Sequence, residues 1–470
     1  MKGFSFFKSR TLGSLAFFNI MGPVILNGIN FFTIPIFTRL LGTGNYGQVS
    51  LYITWVQVMT ILVGLQTCGS IATAQIHIGK KESDKYCSST LFLSFCSFIL
   101  IASFTLLFIS PISEFLNMSK MLVVLLLLNS FSAYVISFAS IRFTFNKQAY
   151  KTFFISVSVA VLGVILSLIF INNIKEYNNR YIGRVIGYAL PNILVGFYVF
   201  FAFLSKGKVL FSKKYWGFCL PICLPLVFHG LSHIVLSQSD RVMLQHYTDE
   251  STVGIYSLVF TFAQVVNVVW SALNNTWVPF YYDDVKSGNI AAIKTKTQNY
   301  LLLFTIVTIG FIYLSPEVIK IFASQDFWSG IDLVPILALG MYFIFLYSFP
   351  VNFQFYHKKT LNIAIGTVSS AVLNIILNFL LIPKFSMLGA AYATLISYVA
   401  LFIFHQLVAK YVIKEEYHYS FKTFSSYILI LFAFLGIFYV IKDYWILRWI
   451  IAALLGILLI AKIIKNRSIF

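Results

Sequence analysis

The stretch TLGSLAFFNIMGPVILNGINFFTIPIFT, residues 11–38, runs 28 residues without a charge and is closed by Arg39. A helix needs roughly 20 apolar residues to cross the hydrocarbon core of a bilayer, so this run predicts a spanning helix. Lys2, Lys8 and Arg10 precede it as they would in a signal peptide, but it is too long and no small-residue cleavage site stands before Arg39. Outward from it, uncharged windows recur at 40–79, 86–113, 121–141, 152–174, 185–205, 215–239, 251–282, 297–316, 333–357, 360–383, 385–409 and 423–441. A further window, 444–462, is interrupted by Arg448 one turn inside its start. The expected fold is an all-α polytopic membrane protein of about 14 transmembrane helices. Continuous apolar runs, in place of alternation with period two, exclude a transmembrane β-barrel.

Composition agrees. The 470 residues are 59% hydrophobic and 10% charged, with mean hydropathy +0.85, whereas an ordinary soluble chain is about a quarter charged. That excludes a cytosolic enzyme, a disordered scaffold and a secreted disulfide domain. Cys68, Cys87, Cys96, Cys219 and Cys223 are odd in number and fall mostly inside apolar runs, as packed small hydrophobes do. The net charge of +19 would suggest nucleic acid in a soluble protein, but no basic soluble domain remains here to bind it. With the N-terminus placed inside, 24 of the 34 Lys and Arg fall on the cytoplasmic side. That bias predicts both termini in the cytoplasm.

The chain also carries an internal repeat. Pro23 to Arg39 in the first helix and Pro225 to Arg241 in the seventh are each separated by 16 positions, an offset of 202 between the copies. Gly44-Asn45-Tyr46 answers to Gly254-Ile255-Tyr256 at an offset of 210. Helices 1–6 and 7–12 are even in number, so the copies start on one side and form a parallel repeat. The expected organisation is an N-terminal lobe at 1–210, a C-terminal lobe at 211–415, and helices 13 and 14 with the tail at 416–470, the lobes facing a central cavity. Pro23 and Pro35 in helix 1 correspond to Pro221 and Pro225 in helix 7. Proline removes a backbone donor and bends helices, which makes these two helices candidate gates.

Several segments resemble Wzx-type polysaccharide flippases. They are Gln238-Ser239-Asp240-Arg241-Val242-Met243-Leu244 with Val253-Gly254-Ile255-Tyr256-Ser257, Tyr181-Ile182-Gly183-Arg184, Phe355-Tyr356-His357-Lys358-Lys359-Thr360, and Asn374 through Leu381-Ile382-Pro383-Lys384 to Gly389-Ala390-Ala391. The resemblance runs from about Ser14 to Tyr411. It implies the two-bundle, V-shaped fold of the multidrug/oligosaccharidyl-lipid/polysaccharide (MOP) exporter superfamily. It also implies transport of undecaprenyl-pyrophosphate-linked oligosaccharide repeat units across a bacterial plasma membrane by alternating access, for O-antigen, capsule or another glycan.

Such a cargo needs cationic donors for its pyrophosphate, and arginine suits this because its planar fork stays charged when desolvated. Arg39, Arg142, Arg184 and Arg241 sit within a turn of a span end and Arg180 lies just beyond. Arg39 and Arg241 are the repeat-related pair, expected to make symmetric headgroup contacts. The alternative for each is an interfacial anchor snorkelling to phospholipid headgroups. Asp240 is either a partner for Arg241 or a protonation site for coupling, and His233 is a second coupling candidate. His229 and His233 have the i, i+4 spacing of metal ligands, but no Glu follows His229 and no third ligand is nearby, so no metal is expected. Asn267, Trp270 and Asn274 share a face of helix 8, and Asn374 and Asn378 one of helix 11. These five are candidate sugar contacts, or amides bonding between packed helices.

There is no Gly-x-x-x-x-Gly-Lys loop to cradle a phosphate, so no ATP chemistry, cofactor or enzymatic activity is expected. The lipid bilayer and the lipid-linked oligosaccharide are the expected partners, with a polysaccharide polymerase as a possible third. Two other readings stay open: a cation-coupled multidrug exporter of the same fold, and a membrane-embedded polymerase or glycosyltransferase. The scarcity of carboxylates in the spans, against flanking Arg, favours an anionic cargo. Phe, at 50 residues, reads mostly as lipid-facing bulk.

Overall fold

In lipid a spanning backbone must satisfy its own polar groups, and the described residues are helical almost throughout, with no strand. The computed structural model describes residues 12–413, 417 and 419–466. Lys2, Lys8, Arg10, Lys414 and Arg467, counted above with the cytoplasmic charges, lie outside them.

Twelve continuous helices are long and apolar enough to cross a membrane, and two of them are pairs joined end to end. Leu12–Gly64 breaks at Gly42, φ 65°, into α1 (12–41) and α2 (43–64). Thr360–Leu407 breaks at Ser386, φ 50°, into α11 (360–385) and α12 (387–407). The others are α3 (Ser83–Leu107), α4 (Lys120–Phe145), α5 (Ala149–Asn173), α6 (Arg180–Gly207), α7 (Lys213–Tyr247), α8 (Glu250–Lys286), α9 (Ile290–Phe322), α10 (Val334–Tyr356), α13 (Phe421–Val440) and α14 (Trp445–Asn466). Fourteen membrane-length helices among the described residues match the sequence expectation.

Two windows were read too long. Left-handed Leu65 and Gln66 end α2, and the chain continues as a 3-10 turn and a short helix, Ile71–His77. α3 stops at Leu107, and Ile109–Leu116 is a separate short helix. Helix starts follow local chemistry: the Asp249 carboxylate accepts from the Thr252 N–H at 2.7 Å at the head of α8, and Asn289 accepts from Ala292 N–H at the head of α9.

The chain divides into two compact units, Met1–Ile234 and Val235–Phe470. The boundary falls within α7, because Tyr215, Cys219 and Cys223 at its start belong to the core of the first unit, with Tyr86, Phe131 and Phe138. All five cysteines are free, and four are buried. Lipid tails are as apolar as side chains, so helices associate through close packing and small residues. In the first unit Gly187 on α6 lies so near Ser167 on α5 that a Cβ would stand 2.3 Å from its backbone nitrogen. Phe98 and Phe131 stack there at 4.8 Å. In the second unit Phe304 and Phe345 are 4.3 Å apart, with Tyr300 and Trp277 beside them. Phenylalanine is therefore core as often as lipid-facing bulk: Phe131, Phe304 and Phe345 are wholly buried, while Phe32 and Phe379 are exposed.

Arg448, which interrupts the last window, is buried on α14 and pairs with Glu317 on α9. Its Nη1 also donates to the Tyr313 carbonyl at 2.8 Å, and the Trp449 indole N–H donates to Glu317 at 3.1 Å. One ion pair thus fastens α14 to α9 within the second unit.

Candidate functional site

α7 passes through the second unit with Ser239, Asp240 and Arg241 in successive positions, and successive helical residues point about 100° apart. Each of the three therefore reaches a different neighbour. The Asp240 carboxylate is wholly buried and accepts three neutral donors: the Tyr256 hydroxyl of α8 at 2.5 Å, the Thr394 hydroxyl of α12 at 2.7 Å and the Asn378 amide of α11 at 2.8 Å. Ser239 donates to the Asn374 carbonyl oxygen at 2.7 Å, and Asn378 donates to that same oxygen at 3.0 Å. Four helices meet in this polar knot inside an apolar bundle. An ionisable residue within a span is costly unless it is paired or serves a function.

Arg241 turns to the other side. Its Nε donates to Ser257 Oγ at 2.9 Å, and its Nη1 donates to the Ser237 carbonyl at 3.2 Å and to Gln238 Oε1. The guanidinium lies over the Phe260 ring at 4.8 Å, a cation–π contact that holds its plane. The side chain is buried, so its charge is presented from fixed geometry.

Three other arginines gather at one end of the first unit. Arg184 lies 3.8 Å over the Phe37 ring and donates to Ser167 Oγ at 2.8 Å. Arg180 donates to the Leu40 carbonyl at 3.1 Å and stacks on Tyr177 at 5.0 Å. Arg39, between those contact points in sequence, is exposed. The repeat-related pair thus occupies unequal environments, Arg241 buried and Arg39 open. The offset of 202 also sets Thr38 opposite Asp240, and Thr38 is buried with its hydroxyl on the Ile34 carbonyl at 2.9 Å. The polar knot has no carboxylate counterpart in the first copy. Arg142 lies at the opposite end of the first unit, paired with Asp84 at 3.2 Å.

On α8, Asn267 donates to Gln264 at 2.9 Å, and Asn274 accepts from Asn352 of α10 at 3.0 Å. Trp270, between them in sequence, is half-buried. Asn374 and Asn378 are instead wholly buried against Ser239 and Asp240. His229 and His233 are both exposed. No cluster of three or more metal-ligating side chains occurs among the described residues. Pro23, Pro35, Pro221 and Pro225 all lie inside helices. Sequence reasoning missed Thr394, Ser257 and Ser239 as members of the site. Thr394 lies 154 positions from Asp240, and no local spacing links the two.

Residues 13–282, more than half of the chain, match the polysaccharide biosynthesis protein family. The chain belongs to that family. Among curated proteins it is 24% identical to a protein of the Lsg locus of Haemophilus influenzae, over 75% of this chain and 87% of that one. It is also 24% identical to an uncharacterized membrane protein of the same organism, over 79% of this chain and 92% of that one. Among solved structures its fold matches the lipid II flippase MurJ in an inward closed conformation, with TM-score 0.73 and 18% identity over 96% of this chain and 99% of that one. It also matches an inward-facing multidrug resistance MATE family transporter of the MOP superfamily, with TM-score 0.63 and 14% identity over 82% of this chain and 94% of that one. This member of the family is a multi-pass membrane protein with the fold of MOP-superfamily transporters.

Proposed function

We propose that the chain is a flippase that carries undecaprenyl-pyrophosphate-linked oligosaccharide repeat units from the cytoplasmic to the outer leaflet of a bacterial inner membrane. The observation that carries this reading is Arg241, a permanently charged donor buried within a span of a polysaccharide biosynthesis protein. A pyrophosphate is the kind of group that a buried guanidinium recognises. Likeness in fold to a protein named as a lipid II flippase supports a lipid-linked cargo.

In this reading Arg241 of the second unit is the headgroup donor and Asn267, Trp270 and Asn274 meet the sugars, while Arg184, Arg180 and Arg39 form a cationic group of the first unit's own that is a further headgroup candidate. Transport is by alternating access, with α1 and α7, each carrying two internal prolines, as moving gates, and the C-terminal helices α13 and α14 accommodate the lipid tail. Both termini lie in the cytoplasm. A polysaccharide polymerase acts next, on repeat units delivered outside. With the cell interior negative, each negative charge moved outward gains about 2.3 kcal/mol per 100 mV, so the potential drives export. Asp240 is the coupling candidate in this reading, because its carboxylate ties α7 to α8, α11 and α12 through Tyr256, Asn378 and Thr394.

The test is the pool of lipid-linked oligosaccharide in cells lacking the protein, fractionated by leaflet. Complete repeat units held on the cytoplasmic leaflet are expected. Complete units that reach the outer leaflet unpolymerised would point to a polymerase instead, and an unchanged pool to a drug exporter.

A further inference from the structure

α3 and α5 begin, and α4 and α6 end, at one end of the first unit. There the Asp84 carboxylate is shared between Arg142 at 3.2 Å and Lys206 at 3.0 Å, and these three residues line a cavity of about 570 Å³ together with Lys151. Three cations therefore face one carboxylate. Arg142 is 5% exposed. Its Nη2 carries the bond to Asp84, but its Nε and Nη1 have no hydrogen-bond partner. Buried donors are almost always satisfied, and an unmet pair on a charged side chain calls for an acceptor from outside the protein. Excess positive charge and unmet donors both specify an anion.

The rest of the wall gives the kind of anion. Phe154 of α5 and Tyr198 of α6 line the same cavity, and both are largely exposed, at 49% and 76%. On membrane-spanning helices such side chains meet acyl chains. A site that is cationic at its base and apolar at its lip suits an amphiphile whose phosphate enters first. Basic pockets between transmembrane helices are a known setting for anionic headgroups. We infer that this cavity binds the phosphate headgroup of one anionic phospholipid of the surrounding bilayer, at a site separate from the Arg241 site proposed for the cargo. A resident lipid there would bind α3, α4, α5 and α6 together at this end of the unit.

The experiment is native mass spectrometry of the purified full chain, exchanged into nanodiscs of phosphatidylglycerol and phosphatidylcholine mixed equally. One phosphatidylglycerol retained per chain, in preference to phosphatidylcholine, is expected. Each Lys near a bilayer surface contributes about 1 kcal/mol toward an anionic lipid, or roughly fivefold in affinity. Lys151→Ala and Lys206→Ala should each weaken retention by about that factor, and Lys213→Ala, an exposed cation outside the cavity, should leave it unchanged. Asp84→Asn removes the one carboxylate among the described lining residues and should strengthen retention, where a merely structural role would weaken it. Equal retention of the two lipids, or equal loss in all three lysine variants, would overturn the inference. So would displacement by inorganic phosphate without loss of phosphatidylcholine, which would mark a site for soluble anions. Lipid retention needs no transport, so failure here leaves the flippase reading standing, and failure of that reading leaves this one standing.

Discussion

Asp240 replaced by alanine would strand the Tyr256 and Thr394 hydroxyls and take one of its acceptors from the Asn378 amide, all of which converge on its carboxylate. Each buried group left without a partner costs about 1–3 kcal/mol, so Asp240→Ala should lower the melting temperature markedly. Asp240→Asn keeps the shape, and both hydroxyls can turn to accept from its new amide. It should fold normally while export falls, as read by the leaflet assay. Unaltered export would remove Asp240 from coupling. Arg241→Ala should abolish transport, with partial rescue by Lys, which restores the charge without the planar fork. Arg39→Ala should cost less than its repeat partner, since Arg39 is exposed where Arg241 is bonded and stacked.

The breaks and fastenings between helices give sharper stability expectations. Gly42 joins α1 to α2 with φ 65°, and a Cβ there would stand 2.3 Å from the Tyr177 hydroxyl oxygen. With φ 65° and ψ −178° the backbone sits in a region essentially reserved for glycine, which costs an L-residue about 1–3 kcal/mol, so Gly42→Ala should lower the melting temperature. Adding Tyr177→Phe should recover only the steric part. Arg448 and Glu317 hold α14 to α9, and removing one partner of a buried pair costs about 3–5 kcal/mol. Glu317→Gln should therefore destabilise more than Glu317→Leu combined with Arg448→Met. Outside the spans, Lys214 and Tyr215 at the start of α7 donate to Glu82 and hold its carboxyl below the ordinary value of 4.5. A depressed carboxylate stabilises the fold above its unfolded pKa and loses that effect as pH falls through the folded value. Glu82→Gln should thus flatten the fall in melting temperature below about pH 4.5. The sequence made each helix legible as an apolar run, and Arg448 legible as an anomaly. It could not supply Glu317, because charge pairing between helices 131 positions apart has no local signature.

On the proposed function, carriage of an anionic cargo makes the whole chain responsive to membrane potential. Collapsing the potential with an ionophore should slow export of the lipid-linked units, each negative charge losing about 2.3 kcal/mol of drive per 100 mV. An unchanged rate would assign the drive to ion coupling alone. Length, composition and the spacing of charges were sufficient to determine a fourteen-helix membrane protein, because a bilayer admits only helices whose apolar length matches its core. The repeat was visible as matched prolines, arginines and Gly-x-Tyr segments. Tertiary structure alone decided which polar residues share a site. Asp240, Asn378 and Thr394 lie on three helices far apart in sequence and meet only after packing. It also made the repeated arginines unequal, since identical positions in two copies acquire different neighbours once each bundle packs. A single chain position specifies a helix face, whereas burial and partnership belong to the set of helices that close around it.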